Sequence, residues 1–200
     1  MKPRFSPPHG APKKQARENR HVQTVEHAVP SLDEDDVMAI VSQKKRPFVL
    51  ILDCVQDPHN LGAILRTADG AGVDVVVAPK DKAVGITETV RRISVGAADH
   101  VPFAQVTNLA RTMEKLKEAG LWIVGTSDHA NSKSIYELDL KGPLALVLGA
   151  EEKGMRRLTS ENCDFLASIP MAGRVECLNV SVATGVCLFE AVRQRQAAHE

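Results

Sequence analysis

Short runs of apolar residues alternate with amphipathic segments along most of the chain. The runs are continuous rather than alternating in polarity, which is typical of strands that are covered on both faces. They predict six strands, which are FVLILD (48–53), VDVVVA (73–78), VPFAQV (101–106), LWIVGT (121–126), PLALVLG (143–149) and FLASIP (165–170).

Five further segments carry apolar residues at helical spacing. These segments are 31–43, 61–71, 86–97, 107–119 and 179–195. Ser31 and Thr107 are candidate N-caps of the first and fourth, because a side-chain oxygen in front of a helix accepts its unpaired backbone N–H groups. Strands that alternate with helices predict an α/β fold with a mainly parallel sheet and helices on both faces.

The composition narrows the class of protein. The 200 residues are 44% hydrophobic and 25% charged, which excludes collagen-like, fully disordered and disulfide-stapled chains. No apolar run approaches the roughly 18 residues of a membrane span, and the N-terminus has no apolar segment like that of a secretory signal. We therefore expect a cytoplasmic protein. The four cysteines stand singly without a C-x-x-C pair, so we expect reduced thiols and no metal site.

Charge is balanced overall but is uneven along the chain. Residues 1–20 hold six basic side chains and one acidic side chain among several prolines. We expect a flexible basic arm over 1–30, a short helical lead-in over 31–46 and one domain over 47–197. Such an arm suits a polyanion partner, because contacts with phosphates tolerate disorder. A tail that only adds solubility would explain the charge equally well.

Three loops that follow apolar runs hold the candidate chemistry, since ligands of parallel sheets bind beyond the carboxyl ends of the strands. The first loop is CVQDPHNLGAILRTADGAGV (54–73). Asp57 and Pro58 initiate a turn there, and Asn60 can bond to its own backbone. Arg66 offers a permanently charged fork of donors that suits a phosphate or a carboxylate. A solvated helix arginine is the alternative interpretation.

The second loop is LVLGAEEKGM (146–155). Gly149 and Gly154 leave a bare backbone that can receive a flat ring or a ribose, and the anionic Glu151 between them disfavours a neighbouring phosphate. No glycine-rich phosphate motif occurs here or elsewhere in the chain. A left-handed start of a helix would explain the two glycines almost as well.

The third loop lies within SIPMAGRVECLNVSVATGVCLFEAV (168–192). Pro170 ends a strand, and 171–173 form a turn. Leu178, Asn179 and Ser181 then open the last helix, where backbone amides and apolar walls can enclose a small ligand. Asn179 and Ser181 could also serve only as helix caps.

Together and in this order, the loops resemble the three signature motifs of the SpoU (TrmH-type) RNA ribose 2′-O-methyltransferases of the SPOUT superfamily. The matching stretches are DPHNLG (57–62) with Arg66, LGAE (148–151) with Gly154, and IPM (169–171) through LNVSVA (178–183). The resemblance covers about 47–195. Within the family the chain is most similar to enzymes that methylate a guanosine ribose in bacterial large-subunit ribosomal RNA.

The resemblance implies a fold, a cofactor and partners. The C-terminal segment would be threaded into a deep trefoil knot, a rare exception to unknotted topology. The knot loops would hold S-adenosylmethionine, and the enzyme would act on RNA as a homodimer through the knot region and the helix 179–195, with no role for DNA or a membrane. The residues implied to contact the cofactor are Gly149, Ile169, Leu178, Thr126, Met171 and Ala183.

The resemblance also implies catalytic residues. Arg66 would orient the ribose and stabilise developing alkoxide charge, because a guanidinium is too basic to act as a proton acceptor. Asn60 would position Arg66 or the ribose, and Glu151 would fix the second loop or pair with a basic group. Asn179 and Ser181 would order the third loop.

Two features depart from the family pattern. Cys177 stands where many relatives have serine, and a small residue tolerated in the knot explains it better than a nucleophile does. Only about 46 residues precede the first strand, whereas relatives that modify ribosomal RNA usually have a separate RNA-binding domain there. Either the basic arm supplies the RNA affinity or the chain is part of a longer protein.

Three other functions stay open from sequence. One is ribose methylation of transfer RNA, and another is a non-catalytic knotted RNA-binding or assembly factor. The third is a nucleotide-dependent dehydrogenase, which would need the glycine-rich turn that DPHNLG does not provide.

Overall fold

The computed structural model describes residues 31–127, 132–149 and 154–197. The strands are β1 (Phe48–Asp53), β2 (Val75–Pro79), β3 (Phe103–Val106), β4 (Trp122–Thr126), β5 (Lys133–Ser134), β6 (Leu144–Gly149) and β7 (Phe165–Ser168). The α-helices are α1 (Glu34–Ser42), α2 (Pro58–Ala71), α3 (Glu88–Ser94), α4 (Leu109–Glu118), α5 (Arg157–Glu161) and α6 (Val180–Ala197).

The strands form one sheet in the order β3-β2-β1-β6-β4-β7-β5, and every neighbouring pair is parallel. The predicted α/β fold is therefore confirmed. The central strand β1 is buried along its whole length, because helices cover both of its faces. A strand covered on both faces cannot alternate in polarity, which explains why its sequence is a continuous apolar run.

Two cores lie on opposite faces of the sheet. Leu50 and Leu52 of β1 pack with α2, α3 and α6 on one face. Val49 and Ile51 point to the other face, where they pack with α1 and α4. The alternation along β1 follows from the two-residue period of a strand. Helices on both faces, as predicted, are present.

Two predicted helix starts are wrong by one or two residues. The N-cap of α4 is Asn108 rather than Thr107, and its side chain accepts the N–H of Arg111. The N-cap of α1 is Asp33 rather than Ser31, and it exchanges hydrogen bonds with Asp36 in a capping box. Any short polar side chain near the start of a helix can serve as its N-cap. The sequence alone therefore could not decide which of several neighbouring polar residues caps each helix.

One short strand and one short α-helix have no counterpart among the predictions. These are β5, which has two residues, and α5, which has five. Elements of this length bury too few side chains to produce a periodic signal. None of the helices in the described part of the chain combines the length and the apolar composition that a membrane span requires.

Candidate active site

The first predicted loop begins α2 at the carboxyl end of β1. Asp57 is the N-cap of α2 and accepts the N–H of His59 at 2.8 Å, and Pro58 occupies the first turn. Proline suits that position because its missing N–H would have no partner there. The predicted turn at 57–58 is therefore the start of a helix, which points its unpaired backbone N–H groups towards this edge of the sheet.

Asn60 and Asn179 join the first and third loops. The Asn179 side-chain amide donates to the Asn60 side-chain oxygen at 3.1 Å across 119 residues of sequence. The Asn179 oxygen in turn accepts the backbone N–H of Ser181 at 3.0 Å and its hydroxyl at 2.5 Å. Asn179 is thus both a helix cap, as the alternative interpretation held, and the link between α6 and α2.

Arg66 lies on the solvent side of α2, next to the face that meets α6. Two glycines mark the contact between these helices. A Cβ built on Gly185 of α6 would lie 3.7 Å from the methyl of Thr67, and a Cβ built on Gly70 of α2 would lie 3.9 Å from the ring of Phe189. The guanidinium is exposed, and within the described ranges it makes no hydrogen bond or ion pair. The guanidinium is therefore exposed beside the contact between α2 and α6.

Gly149 and Gly154 come into backbone contact. A Cβ built on Gly149 would lie 2.3 Å from the Gly154 carbonyl carbon and from the Met155 nitrogen. Gly154 has φ +61°, a conformation that favours glycine. Both predicted glycines are thus required, the first by a close approach and the second by its backbone angle. Glu151 lies between them, outside the described residues.

The predicted cofactor residues lie at or beyond the carboxyl ends of three neighbouring strands. Gly149 ends β6, Thr126 ends β4 and Ile169 follows β7. Thr126 Oγ1 donates to the Val147 carbonyl at 3.3 Å, which ties the ends of two of these strands together. We refer to this side of the sheet, where the strands end, as the carboxyl edge.

The other predicted cofactor residues belong to the return segment and α6. Met171 is exposed and Leu178 is half-buried, and both precede α6. Ala183 is half-buried in the first turns of α6 and packs against the core. The described site residues therefore all lie on α2 or on segments that end at or begin from the carboxyl edge.

Asp53 and Arg156 form an ion pair at this edge that the sequence predictions missed. The Asp53 carboxylate is fully buried and accepts Arg156 Nε at 2.7 Å and the Arg156 backbone N–H at 2.8 Å. A clue was present, since Asp53 is the one charged residue in an otherwise apolar strand. The partner could not be found from sequence, because it lies 103 residues away.

The cysteines differ in environment. Burial raises the pKa of Cys163 and of Cys187 to about 12, so both thiols stay protonated at neutral pH. Burial also raises the pKa of Cys54, and the nearby Asp53 charge adds to that effect. Cys177 is exposed. No group of side chains in the described ranges could hold a metal ion.

A polar cavity of about 400 Å³ lies at the same edge, beyond β2 and β3. Glu34 at its border accepts Lys115 Nζ at 2.5 Å and Thr112 Oγ1 at 2.7 Å. Burial alone would raise the pKa of Glu34, but these bonds and the contact with Arg111 hold that pKa below its ordinary value. Arg111 and Lys115 beside this cavity both pair with Glu34, and none of the lining residues belongs to the three predicted loops.

The comparison with protein families gives a match to the SpoU rRNA methylase family over residues 47–189. The 23S rRNA (guanosine-2′-O-)-methyltransferase RlmB of Pseudomonas aeruginosa is 64% identical over 149 residues, which are 74% of this chain and 60% of that protein. The RlmB of Shewanella oneidensis is 58% identical over 170 residues, which are 85% of this chain and 69% of that protein. The chain thus spans about three fifths of the first of these relatives.

Solved structures show the same architecture. The SpoU methyltransferase AviRb from Streptomyces viridochromogenes, in complex with AdoMet, superposes with a TM-score of 0.75 at 29% identity and covers 84% of this chain and 66% of that one. The TrmH/SpoU tRNA modifying enzyme of A. aeolicus has a TM-score of 0.72 at 32% identity, over 83% and 85% of the two chains. An AdoMet-bound rRNA methyltransferase from Sinorhizobium meliloti has a TM-score of 0.71 at 32% identity, over 77% and 59%.

Proposed function

The chain belongs to the SpoU rRNA methylase family, and we propose that it transfers a methyl group from S-adenosylmethionine to the ribose 2′-hydroxyl of a guanosine in large-subunit ribosomal RNA. The names of the two RlmB relatives support this substrate. Because the chain spans about three fifths of the first relative, the activity and substrate of the whole protein are part of the proposal. So are the boundaries of the arm (1–30), the lead-in (31–46) and the methyltransferase domain (47–197).

The Asn60–Asn179 hydrogen bond is the observation that carries the proposal. It brings the first and third loops to one place although 119 residues separate the two side chains. That place is the carboxyl edge of a parallel sheet, where ligands of such folds bind. A methyltransferase needs its cofactor loops and its substrate-facing residues at one site, and this contact joins the two.

S-adenosylmethionine fits the residues at this edge. When bound, it supplies a methyl group already activated by its sulfonium. The missing side chain of Gly149 lets the Gly154–Met155 peptide pack against the end of β6, and this backbone would form the floor of the pocket. Thr126 ends the next strand of the sheet, and Ile169 follows the strand after that. We assign Met171, Leu178 and Ala183 to the remaining wall of the same pocket, because they lie in the third motif. Apolar walls with a few polar groups are typical of cofactor pockets.

The polar residues would act on the ribose. A guanidinium is permanently charged in proteins, so Arg66 would stabilise negative charge that develops on the 2′-oxygen and would not remove the proton. The Asn179 amide donates to the side-chain oxygen of Asn60, and the Asn179 oxygen accepts the Ser181 N–H. This chain of hydrogen bonds would fix the orientation of Asn60 beside the substrate. Glu151 belongs to the proposed site as the acidic residue of the second loop.

We include a homodimer in the proposal, formed through the knot region and α6. Val182 and Phe189 are about half exposed, and they are seven residues apart, so they share one face of α6. That face borders α2 where Arg66 is exposed. A second chain packed on this face would bury the apolar stripe and place Arg66 at the boundary of the interface. The trefoil threading of the C-terminal segment is part of the same proposal.

The test is methyl transfer from labelled S-adenosylmethionine to ribosomal RNA that lacks the modification. We expect Arg66→Ala to lower the rate roughly 100-fold or more, while cofactor affinity changes by only a few fold. Arg92→Ala is the matched control, because Arg92 is an exposed arginine on the neighbouring helix α3. Full turnover by Arg66→Ala would remove its assigned role, and no transfer by the unmodified protein would overturn the proposed function.

Transfer RNA is a second candidate substrate. The A. aeolicus tRNA modifying enzyme has the same fold, and this chain covers 85% of it. The same assay separates the two substrates when both RNAs are supplied and the labelled nucleotide is mapped. Methylation confined to transfer RNA would replace the ribosomal substrate and would leave the reaction unchanged. Cofactor binding without transfer to either RNA would indicate an assembly factor.

A further inference from the structure

The Asp53 carboxylate is fully buried at the carboxyl edge of the sheet, and the proposed chemistry does not use it. Asp53 ends β1 and pairs in register with Gly149, which ends β6. Burying a carboxylate is costly unless the group is paired and hydrogen-bonded. A charge kept at this position therefore calls for an explanation other than packing.

Arg156 satisfies that charge with two donors. Its Nε lies 2.7 Å from one carboxylate oxygen and its backbone nitrogen lies 2.8 Å from the other. The side chain of Arg156 remains 41% exposed, so its guanidinium stays partly hydrated while it pairs with the buried carboxylate. Because one bond is to the main chain, the carboxylate fixes the path of the backbone at Arg156 as well as the position of the guanidinium.

This pair closes the second loop. Gly149 is held beside Asp53 by the β-ladder, and Arg156 is held by the carboxylate. The Gly154–Met155 peptide, which directly precedes Arg156, packs against Gly149. A Cβ built on Gly149 would lie only 2.3 Å from this peptide. The chain that leaves the sheet at Gly149 therefore returns over its own starting point, and Asp53 ties that return to the strand below.

We propose that Asp53 and Arg156 are positioning residues that hold the returning backbone of the second loop against the sheet and so set the width of the cofactor pocket. This inference rests on the proposed function, because it concerns affinity for S-adenosylmethionine. Neither residue touches the reacting atoms. Their effect is on the Gly149–Gly154 contact, which forms the floor of the pocket.

Two other aspartates provide internal controls. Asp164 accepts the Ile123 backbone N–H at 2.8 Å and Lys117 Nζ at 3.1 Å. Asp74 accepts the Phe48 backbone N–H at 2.8 Å and Lys44 Nζ at 2.8 Å. Each therefore repeats the pattern of one backbone donor and one cation. Asp74 directly precedes β2 and Asp164 directly precedes β7. Both therefore lie at the amino ends of the strands, opposite the carboxyl edge that holds the proposed pocket.

The experiment compares Arg156→Ala with Lys117→Ala by calorimetric titration with S-adenosylmethionine, at a temperature well below both unfolding midpoints. We expect Arg156→Ala to raise the Kd roughly tenfold or more, the size of effect that a small displacement of binding groups produces. Lys117→Ala should leave the Kd unchanged although it also removes a salt bridge. Arg156→Lys should recover part of the affinity, because it keeps the cation and loses the planar donor.

Kinetics provide a second measurement. In Arg156→Ala the KM for S-adenosylmethionine should rise while the KM for RNA and the kcat at saturating cofactor stay close to those of the unmodified protein. Asp53→Asn should act in the same direction with Asp164→Asn as its control. Should Asp53→Asn fail to fold, the half-exposed Arg156 still provides the test.

An unchanged Kd in Arg156→Ala, or an equal rise in Lys117→Ala, would overturn the inference while leaving the proposed function intact. If the unmodified protein does not bind S-adenosylmethionine, the proposed function and the inference both fail. The two failures are therefore distinguishable by the behaviour of the unmodified protein.

Discussion

At the side of the sheet where the strands begin, Asp74 and Asp164 each accept one backbone N–H and one lysine ammonium. At the carboxyl edge Asp53 makes the same two kinds of bond, but both come from Arg156. The first two contacts join strands to the elements beside them. The contact at the carboxyl edge instead ties down a loop that leaves the sheet and returns to it.

The difference extends to the surrounding groups. Arg66, next to the loops of the carboxyl edge, has no partner among the residues that the structure describes, and backbone at Gly149 and Gly154 is bare of side chains. Where the strands begin, Asp74 and Asp164 are both engaged in contacts that hold the fold. Similar ion pairs in one sheet thus join strands to their neighbours where the strands begin and, in our proposal, shape a site where the strands end.

The largest expected effect tests this comparison with two glycines, one that ends β6 and one that lies two residues before that strand begins. Gly149→Ala places a Cβ 2.3 Å from backbone atoms, whereas a Cβ on Gly142 meets nothing within 4 Å. We expect Gly149→Ala to cost about 1–3 kcal/mol of unfolding free energy and to abolish measurable cofactor binding. Gly142→Ala should change stability by less than about 0.5 kcal/mol. Urea denaturation and calorimetric titration measure both quantities, and equal behaviour of the two variants would contradict the comparison.

The next prediction concerns Glu34, which binds Arg111, Lys115 and Thr112 beside the polar cavity beyond β2 and β3. The folded-state pKa of Glu34 lies below its ordinary value of 4.5, so its contribution to stability is present above that pH and is lost as the pH falls through the folded pKa. Glu34→Gln should therefore cost about 1–2 kcal/mol at pH 7, and the loss should shrink as the pH is lowered below 4.5.

Thermal or urea unfolding between pH 7 and pH 3 measures this dependence. Glu114→Gln is the control, since Glu114 is an exposed residue on α4. Methyl transfer by Glu34→Gln at pH 7 should equal that of the unmodified protein. A loss of activity without a loss of stability would show that the polar cavity beside Glu34 belongs to the site.

A smaller effect is expected from the link between the first and third loops. The double-mutant cycle of Asn60→Ala and Asn179→Ala should show a coupling of about 0.5–1.5 kcal/mol in unfolding free energy. Asn179→Ala alone should lower the unfolding free energy more than Asn60→Ala does. It also removes the helix cap of α6, in which the Asn179 oxygen accepts the Ser181 N–H. Additive single effects would mean that the two loops are held together by other contacts.

The smallest effect concerns the thiols. Iodoacetamide at pH 8 should modify the exposed Cys177 first, because burial raises the pKa of Cys163 and Cys187 to about 12 and thiolate is the reactive form. Saturating S-adenosylmethionine should slow this reaction, since Cys177 precedes Leu178 of the proposed pocket. Mass spectrometry of tryptic peptides measures both rates. Equal rates with and without cofactor would place Cys177 outside the pocket.

Much of the fold was predictable because strands of this class are buried on both faces. All six apolar runs contain a strand of the sheet, and the five helical segments contain or overlap α1, α2, α3, α4 and α6. The two-residue β5 was not predicted, because it has too few residues for a pattern. Helix caps were misplaced where neighbouring residues, such as Thr107 and Asn108, have equivalent capping oxygens.

The candidate site was only partly predictable. The glycines and the residues of the three loops stand out in the sequence because of their chemistry and their place after apolar runs. Their mutual contacts depend on parallel strands whose carboxyl ends meet. The sequence contains no sign of which residue pairs with Asp53, because pairing across 103 residues is set by the order of strands in the sheet.

By itself the sequence determined where the longer strands and helices form, since periodicity and apolar content act over a few neighbouring residues. It also determined which loops carry polar residues and glycine. Tertiary structure alone decided that β6 lies beside β1, that Gly154 returns onto Gly149, and that Arg156 meets a buried carboxylate. These contacts join distant parts of the chain, and the free energy that selects them comes from packing the whole sheet rather than from any local segment.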